Sequence, residues 1–68
     1  MKLNRAKVEL AMADKCMAIN DIAETSGIPR QTITAAINGR RNPKPITAGK
    51  IAKALGVSVI EIIEEMEE

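Results

Sequence analysis

The sequence predicts an all-α fold of five short helices, and three observations carry that prediction. Apolar residues recur at helical spacing along most of the 68 residues, glycine and proline punctuate them at intervals of one short helix, and Phe, Tyr and Trp are absent. A core without aromatic residues must be built from Ile, Leu, Val, Met and Ala. That suits a small helical bundle better than a β-sandwich, whose strands draw on aromatic and β-branched side chains. A chain of this length makes one domain, residues 1–68, and buries only about 60% of the surface its unfolded form exposes, so its packing must be tight or shared with a second copy.

The elements follow in order along the chain. Asn4 is an N-cap residue, and the first helix runs from it to Lys15 with Val8, Ala11 and Met12 on one face. The second covers residues 19–25 and ends at Ser26-Gly27. Pro29 suits the first position of the third helix, where a missing N–H costs nothing; that helix runs to Ile37 and stops at Asn38-Gly39. A basic loop punctuated by proline, residues 40–45, leads to a fourth helix over residues 47–55, with Ile51, Ala52 and Leu55 inward and Gly56 at its end. Ser58 and Glu61 form an S-x-x-E capping box, which opens a fifth helix to Met66 with Val59, Ile62, Ile63 and Met66 inward.

Within this order, residues 19–38, INDIAETSGIPRQTITAAIN, have the layout of a helix-turn-helix. Ala23 stands where two helices must approach closely, and Gly27 stands four residues later where the chain must turn with positive φ. Ile22, Ile28, Ile33 and Ile37 turn one face of each helix inward. Such a unit leaves its second helix free to enter a DNA major groove.

Net charge is only +1, but its distribution points to a polyanion partner. All ten Lys and Arg lie within residues 1–53 beside four acids, a net of +6; residues 54–68 hold five acids and no base, a net of −5. Enzyme classes find little support. There is no His, and the single Cys16 has neither a His to activate it nor a partner for an internal disulfide. No Cys/His metal set and no phosphate-binding glycine loop is present, so no cofactor, metal or small-molecule ligand is expected. With no signal peptide and no long apolar run, the expected location is the cytoplasm, away from membranes.

The segments IAETSGIPRQTITAAINGRRNP and TAGKIAKALGVSV, in this order, resemble the Cro/cI-type helix-turn-helix family, also called XRE-like, and its lambda repressor-like five-helix fold. The likeness runs from about Val8 to Ile63. Departures from the family pattern are local. Members often carry Gly near Cys16, a capping Ser or Thr near Ala18, and an Arg near Met12.

The resemblance implies that Arg30, Gln31, Thr34 and Ala35 face base edges. Arg30 would donate a bidentate pair to guanine, Gln31 would pair with adenine, and the methyl groups of Thr34 and Ala35 would meet thymine. Thr32 and Asn38 are expected at the groove rim, with Arg40, Arg41 and Lys44 along the phosphates. Asn20, Thr47 and Lys50, near helix starts, are further phosphate candidates, and Thr47 serves equally well as a plain cap. Gly49 reads as a place where helix and another backbone come close.

The resemblance also implies a homodimer on a palindromic double-stranded operator, acting as a transcriptional repressor. Ile60 lies off the inward stripe and Ile46 lies in the loop before the fourth helix, which makes both dimer candidates. The competing role for Ile60 is packing beneath Leu3. An alternative function is that of an antitoxin or recombination accessory factor, acting mainly through a protein partner bound by the acidic C-terminal helix.

Overall fold

The computed structural model describes residues 1–64. Four α-helices fold around one core: α1 (Arg5–Lys15), α2 (Ile19–Ser26), α3 (Arg30–Ile37) and α4 (Pro45–Leu55). A single turn of 3-10 helix, Val59–Glu61, follows α4. α4 is central, packing against α1, α2 and the 3-10 turn, while α3 packs on α2.

Cap chemistry explains where the helices begin. Asn4 accepts the Lys7 backbone N–H at 3.0 Å and starts α1. Ala18, at the head of α2, has no side-chain oxygen to offer. Asp21 supplies the other half of the arrangement, its carboxylate accepting the Ala18 N–H at 2.7 Å. A carboxylate there also faces the positive end of the α2 dipole. Pro29 caps α3 from just outside, one position earlier than expected, with Arg30 as the first helical residue. α4 starts two residues before the sequence prediction, with Lys44 as N-cap and Pro45 first. Thr47 therefore lies inside the first turn and is not the cap. Proline's fixed φ and missing donor suit that first position.

Left-handed residues explain where the helices end. Gly27 (φ 77°) donates its N–H to the Ala23 carbonyl at 2.9 Å and turns the chain from α2 towards α3. α1 ends on a Schellman motif instead. The Cys16 N–H meets the Ala13 carbonyl at 3.1 Å and the Met17 N–H meets the Met12 carbonyl at 2.9 Å. Among the described residues Cys16 is the only non-glycine with positive φ, 54°. Its backbone thus takes a conformation that glycine adopts with the least steric cost.

The core is aliphatic throughout. Val8, Ile22, Ile33, Ile51, Leu55 and Ile62 are fully buried, joined by Leu3, Ile28, Ile37 and the small residues Ala36, Ala48 and Ala52. Ala11, Met12 and Ala23 pack against its edge. Among the described residues no polar or charged side chain is buried, so the interior carries no polar desolvation cost.

Two further expectations are corrected. The fifth helix is only a 3-10 turn. Ser58 and Glu61 do form the expected cap, the Ser58 N–H meeting the Glu61 carboxylate at 3.0 Å and Ser58 Oγ accepting the Ile60 N–H at 3.4 Å. The chain then leaves helical geometry, because Ile62 and Ile63 are drawn to the N-terminal segment. Leu3 and Ile63 form an antiparallel bridge, flanked by bonds from Asn4 N–H to the Ile62 carbonyl (2.8 Å) and from Glu64 N–H to the Lys2 carbonyl (3.0 Å). Met66 lies outside the described residues. Gly49 is the second correction. A Cβ built there meets nothing within 4 Å, so no neighbouring backbone requires the glycine. Gly49→Ala is expected to stabilise the fold by about 0.5–1 kcal/mol through helix propensity. A thermal melt checks this, and an unchanged or lower Tm would refute it.

Candidate nucleic-acid interface

α3 buries Ile33, Ala36 and Ile37 and turns its opposite side outward. That pattern follows from a helical repeat of 3.6 residues, which sets positions 33, 36 and 37 on one side and 31, 35 and 38 on the other. Arg30, Gln31, Thr34 and Ala35 come together around one open depression, which Arg40 closes from the far end of the helix. Arg30, Gln31 and Arg40 are exposed, whereas Thr34 and Ala35 are half-buried. Arg40 is aimed there by the cap of α3, where its N–H bonds the Ala35 carbonyl at 3.0 Å and Gly39 takes φ 80°. A residue assigned to the phosphates in sequence thus borders the same hollow as the base-facing set.

The remaining candidates divide between separate places. Thr32, Arg41, Lys44 and Thr47 line a second hollow, on the flank of α3 that faces the basic loop, together with Asn42 and Pro43. Lys50 lies elsewhere, beside Lys53, Thr25 and Ser26 at the end of α2. Asn38 borders a third hollow on the other flank of α3, against α1. Asn20 is exposed in the first turn of α2. Among the described residues none of these side chains makes a hydrogen bond to another group of the chain.

Both apolar candidates for self-association are on the surface. Ile46 is 68% and Ile60 72% exposed, so Ile60 does not pack beneath Leu3. Leu10, 71% exposed, is a third such residue that sequence reasoning did not single out. Its position off the Val8–Met12 stripe was the available signal. It lies beside Val57 and Glu61, on the side of α1 away from α3.

A short helix crossing behind an outward helix, joined through a left-handed glycine, defines a helix-turn-helix protein. A family model described as helix-turn-helix matches residues 17–62. The chain belongs to that family, the Cro/cI-type or XRE-like helix-turn-helix proteins. It is similar to a protein of Sinorhizobium fredii named as an HTH-type transcriptional regulator, 34% identical over 55 residues, covering 81% of this chain and 71% of the relative. A protein of Methanothermobacter thermautotrophicus with the same kind of name is 46% identical over 48 residues, covering 71% of this chain and 70% of the relative. Among the described residues no helix is long and apolar enough to cross a membrane.

Proposed function

We propose that the protein is a sequence-specific DNA-binding transcriptional regulator that reads the major groove with α3 and acts in the cytoplasm as a repressor. The observation that carries this reading is the convergence of Arg30, Gln31, Thr34 and Ala35 on one outward hollow of α3. Arginine and glutamine there offer bidentate donors and acceptors for guanine and adenine, and the methyl groups beside them suit thymine. Arg41 and Lys44 on one flank, with Thr32 and Thr47, supply phosphate contacts that position the helix without choosing bases. Lys50 and Asn20 extend that contact set along the backbone. One copy touches too few bases for tight selection, so the working form is a homodimer on a palindrome, with Ile46 and Ile60 as interface residues. Repression follows from occupancy, with the bound dimer excluding polymerase or a competing regulator. No catalytic step, cofactor or small-molecule ligand enters this mechanism.

The test is selection from a random duplex library at near-physiological salt. A palindromic motif with half-sites about one helical turn apart is the expected result. Folded protein that enriches no motif would overturn the reading, and would move attention to Ile60 and Glu61 as contacts for a protein partner.

A further inference from the structure

The two flanks of α3 are unequal as the sequence presents them. Arg41 and Lys44, assigned to the phosphates, lie on the side of the basic loop, while the other flank offers the uncharged Asn38. A major groove about 12 Å wide is bordered by a phosphate backbone on each side. A helix seated in it meets negative charge on both flanks.

The structure puts a cation on the second flank. Arg5, in the first turn of α1, borders a hollow shared with Glu9, with Ile19 at the start of α2, and with Thr34 and Asn38 of α3. At 100° per residue, Thr34 and Asn38 lie on one side of the outward stripe through Gln31 and Ala35, and Thr32 lies on the other. Thr32 shares its hollow with Arg41 and Lys44. Arg5 and the basic loop therefore stand on opposite sides of the reading face. The Arg5 guanidinium donates from Nε to Glu9 Oε2 at 3.0 Å, with the two side chains 65% and 58% exposed. Among the described residues its terminal nitrogens make no hydrogen bond. Their N–H groups are free to donate.

Resting on the DNA reading above, we propose that Arg5 is a phosphate contact on the second rim of the groove, with Glu9 as the positioning residue that orients its guanidinium. An exposed i,i+4 pair of this kind contributes little to stability by itself, so its loss is not expected to lower helix content. Arginine is suited to the proposed task because its planar fork matches phosphate geometry.

Affinity for a labelled duplex of random sequence, measured across salt concentrations, tests the assignment without knowledge of an operator. Each phosphate contact adds about 0.9 to the slope of log affinity against log salt. Arg5→Gln is expected to flatten the slope by about that amount, which is about eightfold weaker binding at 0.1 M salt relative to a 1 M reference. Glu9→Gln keeps an amide oxygen to accept from Arg5 Nε while removing a negative charge near the DNA, so it is expected to tighten binding without flattening the slope. An unchanged slope for Arg5→Gln, where Arg41→Gln flattens it, would overturn the proposal and leave the DNA reading standing. A wild-type affinity that does not respond to salt would overturn both. Equal weakening by Arg5→Gln and Glu9→Gln, with lowered helix content in each, would reduce the pair to a helix brace.

Discussion

Replacing Ile51 with alanine is expected to leave much of the protein unfolded at room temperature. Ile51 is fully buried at the middle of α4, the helix against which α1, α2 and the 3-10 turn all pack. Deleting a buried isoleucine to alanine costs about 2–5 kcal/mol, the upper part of that range applying where the surroundings cannot collapse into the gap. A domain of this length holds a total of about 3–10 kcal/mol. One truncation is therefore comparable with the whole margin. Among the described residues no polar side chain is buried, and the sole cysteine, Cys16, can form no internal disulfide, so neither offsets the loss. The transition is followed by far-ultraviolet circular dichroism, because the chain has no tryptophan or tyrosine to report on folding. Lys53→Ala, at an exposed side chain of the same helix, is the control and should shift stability by no more than about 0.5 kcal/mol. Similar melting of the two variants would show that α4 does not carry the core.

Arg30→Ala is expected to abolish a guanine preference at one position of each half-site while leaving neighbouring positions intact. A good bidentate contact discriminates by about 1–3 kcal/mol, or about 5- to 150-fold against the wrong base. Arg41→Ala and Lys44→Ala act differently. They should weaken binding to all sequences alike and flatten the salt dependence by roughly one unit per lost contact. Selection and salt titration on the three variants separate the roles. Uniform weakening by all three would remove Arg30 from the base-reading set and assign it to the phosphates.

The four helices and the outward face of α3 were legible in the sequence because each is a local matter. Asn4, Gly27 and Gly56 mark ends through their own backbone and side-chain chemistry, and the 33/36/37 stripe needs only helical periodicity. The fifth helix was not legible. An S-x-x-E box specifies how a helical turn opens and says nothing of how long it lasts. What ends it is the pairing of Ile62 and Ile63 with residues near Leu3, almost the whole chain away, and no local pattern contains that partner. The start of α4 was legible but misread, since Lys44-Pro45 carried a first-position proline signal two residues before Thr47. Gly49 was misread for a different reason. A glycine inside a helix signals either close packing or mere tolerance, and only the surrounding space tells them apart. Within the candidate interface, Arg30, Gln31, Thr34 and Ala35 share one helix and were found together. Arg5 was out of reach because its place beside Thr34 and Asn38 depends on how α1 is laid against α3.

The pairing of residues 2–4 with residues 62–64 brings the two ends of the described chain to the same edge of the molecule. The path between residues 2 and 64 is thus almost closed on itself. A short covalent link across the gap would shrink the unfolded ensemble while adding no native contact, which raises stability through lost chain entropy. The same topology tolerates new ends in an exposed connection remote from the reading helix, such as the turn at Gly56. The order in which the helices are strung together is thus separable from the arrangement that presents α3.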